Sequence, residues 1–257
     1  MARSMLVFAL VLVTAGQLSA QHAHDHPAPA TPDTRSPSPA KPAKTTDWKA
    51  EAMARHMAYS ATRPLTPADS ARATQVINEL RQAVARYQDV RLAEADGYKM
   101  FAPHIRNQPQ YHFTKNWHAI RNSFGFDPAR PTSLLYKRNE RGELVLTGAM
   151  YTASKRTSEE ELDKRVPLSV ARWHRHVNWC IPKRKEKDRW LEMKDSRPVF
   201  GPLGVSTEQE CKAAGGRFIP QAFGWMVHAN VFAGNDLRSI WHDDHMEHDH
   251  DAMLGTP

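Results

Sequence analysis

The alternation of apolar and polar residues between Leu168 and Cys180 predicts a β-strand that carries two histidines. The segment LSVARWHRHVNWC follows Pro167 and is rich in Val and Trp, which favour strands. Because successive side chains of a strand point to opposite faces, we expect His174 and His176 on one face, about 6.5 Å apart along the chain. In this prediction Asn178 shares their face, and the opposite face carries Trp173, Arg175, Val177 and Trp179.

A second apolar stretch, FGWMVHANVF from Phe223 to Phe232, predicts a buried strand with one histidine. One face would carry Trp225, Val227, Ala229 and Val231, and the other Met226, His228, Asn230 and Phe232. If both strands lie in one antiparallel sheet, His228 can approach His174 and His176. Three neutral imidazoles can share one transition-metal ion.

The strongest helix signal begins at Thr66. Thr66 is a capping residue, Pro67 suits the first helical turn, and Asp69 completes a capping-box pattern. An apolar stripe follows and Gly97 is a good terminator, so the helix is predicted to run for about 28 residues, with a possible break near residues 88–89. Shorter helices are predicted within 47–59 (capped by Asp47), after residues 157–158, and after residues 206–207.

Two further strands are predicted at Ser133–Lys137 and Leu144–Ala153, joined by a hairpin loop. Gly148, inside the second of them, predicts a bulge or a close backbone approach. Helical patterns come first and strands later, which favours an α+β fold with a long N-terminal helix packed on a mostly antiparallel sheet. We assign this fold to a single domain, residues 47–241.

An aromatic-rich connection between Tyr98 and Pro131 contains further histidines. In Tyr111-His112-Phe113 a short strand would turn His112 away from its aromatic neighbours. We therefore predict His112 as a fourth metal ligand and His118 as the next candidate. Histidines hydrogen-bonded within a packed loop are the alternative interpretation.

The first 20 residues have the pattern of a secretory signal peptide cleaved after Ala20. The apolar run is too short to span a bilayer, and we predict no transmembrane segment in the mature chain. Residues 21–46 are rich in Pro, Ala and polar residues, which predicts a disordered linker. The chain is thus expected to be secreted or periplasmic.

Cys180 and Cys211 are the only cysteines in the sequence. In an oxidising compartment an isolated pair favours a disulfide, here closing a loop of about 30 residues. A thiolate metal site is the alternative, but CxxC spacing is absent.

The formal net charge of the chain is +7. Nucleic acid is nevertheless a poor partner for a secreted protein. The basic run KRKEKDR is interrupted by acidic residues, as in a solvated loop.

Histidines are concentrated at both ends of the chain, where nothing predicts a packed structure. Such tracts can chelate Cu(II), Ni(II) or Zn(II) loosely. The alternative is that they are simply polar tails. The linker carries His22, His24 and His26, and the acidic tail at 242–257 carries His242, His245, His248 and His250.

Several segments together resemble a family of secreted bacterial proteins of unassigned activity. They are AEADGY, YHF, FDPARPTSLLY, LTGAMY and VPLSVARWHRHVNWC, and they lie between Ala93 and Trp241. The resemblance implies secretion and supplies no catalytic residue. Antiparallel sheets with an HxH pair and a distant His also occur in cupins. The resemblance to cupins is weak, because no Glu follows the HxH pair at that family's spacing and the predicted strands are too few for its barrel.

We therefore expect a secreted transition-metal-binding protein for Cu, Zn or Ni that uses His174, His176, His228 and His112. Met226 or Met246 would suit Cu(I). One alternative is a metal-dependent enzyme in which the same ion keeps an open position that activates water. The other is an envelope or interaction protein that holds no metal. The sequence names no substrate and no protein partner.

Overall fold

The structure, a computed structural model, describes residues 48–103 and 108–241, and an antiparallel sheet of eight strands forms its centre. The strands are β1 Met57–Tyr59, β2 Lys99–Met100, β3 Tyr111–Thr114, β4 Ser133–Arg138, β5 Leu144–Ala153, β6 His174–Ile181, β7 Met193–Lys194, β8 Arg197–Pro198, β9 Arg217–Gln221 and β10 Trp225–Ala229. Their order in the sheet is β1-β6-β10-β5-β4-β3-β2, with β9 paired to β6, and β7 and β8 form a separate small hairpin. The α-helices are α1 Trp48–His56, α2 Pro67–Val84, α3 Val90–Ala95, α4 Asn116–Asn122, α5 Glu159–Arg165, α6 Glu208–Ala213 and α7 Leu237–Ile240.

Helix α2 begins with the predicted capping box. The Thr66 hydroxyl accepts a hydrogen bond from the Asp69 amide, and the Asp69 carboxylate accepts one from the Thr66 amide. The apolar stripe of α2 is buried together with the sheet residues Phe113, Tyr136, Tyr151 and Trp225. This shared core holds the helix against one face of the sheet.

The helical region that follows α2 is not continuous. A 3-10 turn spans Ala85–Gln88, and Asp89 has an extended backbone and caps α3. The predicted break near residues 88–89 is therefore present.

The described part of the chain combines helices with an antiparallel sheet, as an α+β fold requires. None of the helices in the described ranges combines the length and apolar composition that a membrane span needs.

Two strands are shorter than predicted, because backbone groups at their ends bond elsewhere. The carbonyl of Pro167 accepts hydrogen bonds from the amides of Val170 and Ala171, so a turn precedes β6, which begins only at His174. At the other strand, the Asn230 amide donates to the Ile240 carbonyl, and β10 ends at Ala229.

The hairpin of β4 and β5 carries the irregularity predicted at Gly148. The register between the strands shifts at Leu135/Tyr136, opposite Gly148 and Leu146, which is a bulge.

The predicted disulfide is also present: Cys180 and Cys211 are bonded with an S–S distance of 2.04 Å. It joins β6 to α6, whose capping box is formed by Thr207 and Glu210.

Several predictions lie outside the described residues. These are the signal peptide (1–20), the linker (21–46), the Asp47 cap and the acidic tail (242–257).

Candidate metal site

The sheet positions four histidines on one face, which we call the histidine face. His174 and His176 lie on β6, His228 on β10 and His112 on β3. Residues directly opposite in an antiparallel pair share a face, and Met226 pairs with His174, so His228 lies on the same side as His174. The opposite face of these strands carries the core side chains that pack against α2.

The face of His112 follows from its neighbours and from the strands that link it to β10. Tyr111 and Phe113 are buried in the main core, so His112 points the other way, as predicted. His112 is paired with Leu135 on β4, and Leu135 with Gly148 on β5. Strand β5 then pairs with β10.

The four imidazole rings form a chain of neighbours. The ring centroids of His174 and His228 are 5.0 Å apart. Those of His174 and His176 are 5.8 Å apart, and those of His112 and His228 are also 5.8 Å apart. The structure therefore brings together all four histidines that the sequence suggested as metal ligands, from three separate strands.

The cluster is buried at its centre and partly accessible at its ends. The residues His174 and His228 are 1% and 6% exposed, whereas His112 and His176 are half-buried. Within residues 48–103 and 108–241, no three His, Cys, Asp or Glu side chains are arranged as a metal-ligand set. The four rings are neighbours, but in this structure they do not form such a set.

The prediction that Trp179 lies on the face opposite the histidines is wrong. Asn178 has a φ of 58°, in the left-handed region, so the alternation of faces does not continue beyond Val177. The Trp179 ring instead lies 5.2 Å from the His176 ring. Asn178 uses its side-chain amide to donate a hydrogen bond to the Arg55 carbonyl on α1.

Aromatic side chains line the His176 end of the cluster. The Phe223 ring is 5.9 Å from His176, 5.6 Å from Trp179 and 6.3 Å from Phe101. Phe101 and Phe223 are both exposed. The half-buried end of the cluster therefore borders an aromatic surface that reaches solvent, which we call the aromatic rim (Phe101, Trp179 and Phe223).

His118, the next candidate, has a different environment on α4. Its Nδ1 atom donates a hydrogen bond of 3.0 Å to the Pro131 carbonyl and lies 3.3 Å from the Tyr98 hydroxyl. Burial lowers the pKa of His118, against the opposing effect of that carbonyl. His118 is therefore hydrogen-bonded, as the alternative interpretation predicted, but it lies on a helix and not in a loop.

Three methionines on the histidine face were not anticipated as a group. Met57 is directly opposite His176, Met226 is opposite His174, and Met150 is opposite His228. Of these three, the sequence analysis singled out only Met226, because the pairing of strands distant in sequence cannot be deduced from the pattern of any one strand.

The seven histidines predicted as loose chelators, in 21–46 and 242–257, lie outside the described residues. No protein-family model matches the chain, and comparisons with curated proteins and with solved structures found no match either.

Proposed function

We propose that this protein binds one first-row transition-metal ion, copper, zinc or nickel, through His174, His228 and His176, with His112 as a fourth ligand. The observation that supports this most is the row of four imidazoles from three strands, in which the centroids of neighbouring rings are 5.0 to 5.8 Å apart. Imidazole suits all three metals.

The spacing agrees with what a shared ion requires. Metal–nitrogen bonds to imidazole are about 2.0–2.1 Å long, which puts each ring centroid about 3 Å from the ion. Two such ligands at a tetrahedral angle have centroids about 5 Å apart. The pair His174–His228 has this separation, and the two neighbouring pairs, His174–His176 and His112–His228, exceed it by less than 1 Å.

Binding would require the rings to turn rather than the strands to move. The χ2 torsion of histidine has a broad energy minimum, so rotation of a ring costs little compared with a backbone shift. His176 and His112, which are half-buried, have the most freedom to turn toward the central pair. The β6–β10 pairing keeps the separation of the central pair fixed.

The disulfide between Cys180 and Cys211 supports the predicted secretion, because such bonds persist in oxidising compartments. We therefore propose that the metal is bound outside the cytosol, and that the terminal histidine tracts gather ions loosely around the structured site. These tracts would also obscure any measurement of the site itself.

The test measures bound metal in what we call the tail-substituted chain. In this variant Asn replaces His22, His24, His26, His242, His245, His248 and His250. The protein is loaded with Cu(II) or Zn(II), dialysed, and analysed by mass spectrometry of the elements. We expect about one ion per chain, and its loss when His174 and His228 are both changed to Gln.

His118→Gln is the matched control, because His118 is a partly buried histidine bonded to a carbonyl rather than to other imidazoles. It should keep the ion. Equal metal content in the His174→Gln/His228→Gln variant and its parent, with both proteins folded by circular dichroism, would refute the proposal.

A second candidate function, metal-dependent catalysis, is favoured by the aromatic rim. The rim borders the half-buried His176, so an ion held there could keep one coordination position open to solvent or to an organic ligand. Azide added to the Cu(II)-loaded, tail-substituted chain should then produce a charge-transfer absorption band. Absence of that band in the loaded protein would argue for a closed binding site and against this candidate.

A further inference from the structure

The histidine face is also a methionine face. Three of the four histidines have a methionine as their direct cross-strand neighbour: Met57 with His176, Met226 with His174 and Met150 with His228. Directly opposed residues have Cβ atoms about 4.5–5.5 Å apart and side chains on one face. Each thioether is therefore built into the surroundings of an imidazole.

All three methionines are buried, each 7% exposed, and Met150 and Met226 belong to one apolar cluster with Leu135. A flexible thioether chain of this kind can pack in many positions. Its sulfur is also a soft, neutral metal ligand. If the methionines only pack, their replacement should not change the affinity for Cu(I). If their sulfur atoms bind the metal, their replacement should weaken Cu(I) binding and leave Zn(II) binding intact.

Thioether and imidazole together are selective among the metals that histidine alone accepts. Zinc sites in proteins use Cys, His, Asp and Glu. Soft sulfur ligands favour Cu(I), and imidazole also suits copper. A buried set of neutral N and S donors adds no negative charge, which fits a singly charged ion better than a doubly charged one, because buried charge is costly unless it is compensated.

We propose that the metal of this site is copper in its Cu(I) state, and that Met226, Met150 and Met57 supply thioether ligands beside His174, His228 and His176. This inference rests on the proposed function, since it specifies the ion that the same histidines hold. Met226 and Met150 are the strongest candidates, because their partners His174 and His228 form the closest ring pair.

The test compares Cu(I) and Zn(II) affinities in the tail-substituted chain, with Met246 of the tail also changed to Leu. Cu(I) binding is measured without oxygen by competition with bicinchoninate, and Zn(II) binding by competition with a chromophoric chelator. The test variant is Met57→Leu/Met150→Leu/Met226→Leu, which nearly conserves side-chain volume and should therefore fold. The control is Met193→Leu, an exposed methionine outside the sheet.

We expect the triple variant to lose affinity for Cu(I) by at least the 10- to 100-fold that loss of an outer partner of a metal ligand typically costs. Its affinity for Zn(II) should stay within about threefold of the parent's, since the histidines are intact. X-ray absorption of the Cu(I)-loaded parent should show sulfur neighbours that the triple variant lacks. Met193→Leu should behave as the parent in every measurement.

The possible failures point to different conclusions. Unchanged Cu(I) affinity in the triple variant would mean that the methionines only pack. A parallel loss of Cu(I) and Zn(II) affinity would indicate a damaged site, which also refutes a specific role for sulfur. A parent that binds Zn(II) and not Cu(I) would overturn this inference and leave the proposed function standing, whereas a parent that binds neither would overturn both.

Discussion

Gly148 on β5 faces the carbonyl of Ala229 on β10 so closely that a Cβ atom at position 148 would overlap the carbonyl oxygen. The obstructing atoms belong to the backbone, so no side chain can move aside to make room. Ala229 directly follows His228. The absence of a side chain at position 148 therefore helps to fix the distance between the two strands beside the histidine cluster.

We expect Gly148→Ala to destabilise the protein by about 1–3 kcal/mol, the typical cost of overpacking, and to weaken metal binding by moving His228. Urea unfolding and the metal-content measurement test both effects. Gly125→Ala is the control, because no atom lies within 4 Å of a Cβ built there. A Gly148→Ala variant as stable as Gly125→Ala would contradict the argument.

The Arg63 guanidinium connects the start of α2 to α5. It donates hydrogen bonds to Asp69 at 2.6 and 2.7 Å and to Asp163 at 2.9 Å. The bonds between Arg63 and Asp69, with smaller contributions from Thr66, hold the pKa of the Asp69 carboxyl well below its usual range. A depressed folded-state pKa stabilises the fold above the unfolded value of about 3.9, and that stability is lost as the pH falls further.

Asp69→Asn should therefore lower the unfolding temperature at pH 7 and reduce its dependence on pH below about 4. Thermal unfolding followed by circular dichroism between pH 7 and 2 provides the measurement. Glu161→Gln is a useful comparison, since Lys164 lowers the pKa of Glu161 on an exposed surface of α5, where such pairs contribute little. Parallel pH profiles for wild type and Asp69→Asn would exclude the assigned role.

The disulfide offers a second stability prediction. Cys180 and Cys211 are separated by 31 positions, and closing a loop of this size stabilises the folded state by about 4 kcal/mol in the chain-entropy description. Cys180→Ala/Cys211→Ala should lose stability by that order in urea unfolding. Addition of a reductant should destabilise the wild type and leave the variant unchanged; a variant that still responds to the reductant would point to another cause.

Local patterns in the sequence were enough to place His174, His176, His228 and His112 on strand faces, because alternation within one strand needs no knowledge of its neighbours. They were also enough for the capping box at Thr66, since its partners lie three residues apart. Strand β1 was missed, because three residues directly after a helix carry no periodic signal. The opposition of Met57 to His176 was missed with it.

Two further features depended on tertiary context. No pattern in the surrounding sequence predicts the left-handed conformation of Asn178, although Asn tolerates this conformation better than most residues. The conformation brings Trp179 beside His176. Likewise, the register that opposes Met150 to His228 joins strands that are distant in sequence, and the sequence indicated the approach of Gly148 to β10 only as a bulge or a close contact.

The position of Trp179 provides an optical test of where a metal binds. Its ring lies 5.2 Å from the His176 ring, so Cu(II) at the cluster should quench its fluorescence, because quenching by a paramagnetic ion is steep with distance. We expect titration of the tail-substituted chain with Cu(II) to cause a saturable loss of emission near one equivalent. Trp179→Phe should reduce that loss more than replacement of a tryptophan outside the site.

The chain has seven tryptophans, and each contributes to the emission. The effect of Trp179→Phe must therefore be compared with the effect of replacing another tryptophan. Trp190→Phe is the matched control: Trp190 is exposed in the 3-10 turn Lys187–Leu191 and packs near Gly201, and its loss should leave the quenching amplitude almost unchanged. Equal quenching in the Trp179→Phe and Trp190→Phe proteins would place the bound Cu(II) away from His176. Quenching that is reduced in Trp179→Phe and disappears in His174→Gln/His228→Gln would place it between the rings that β6 and β10 bring together.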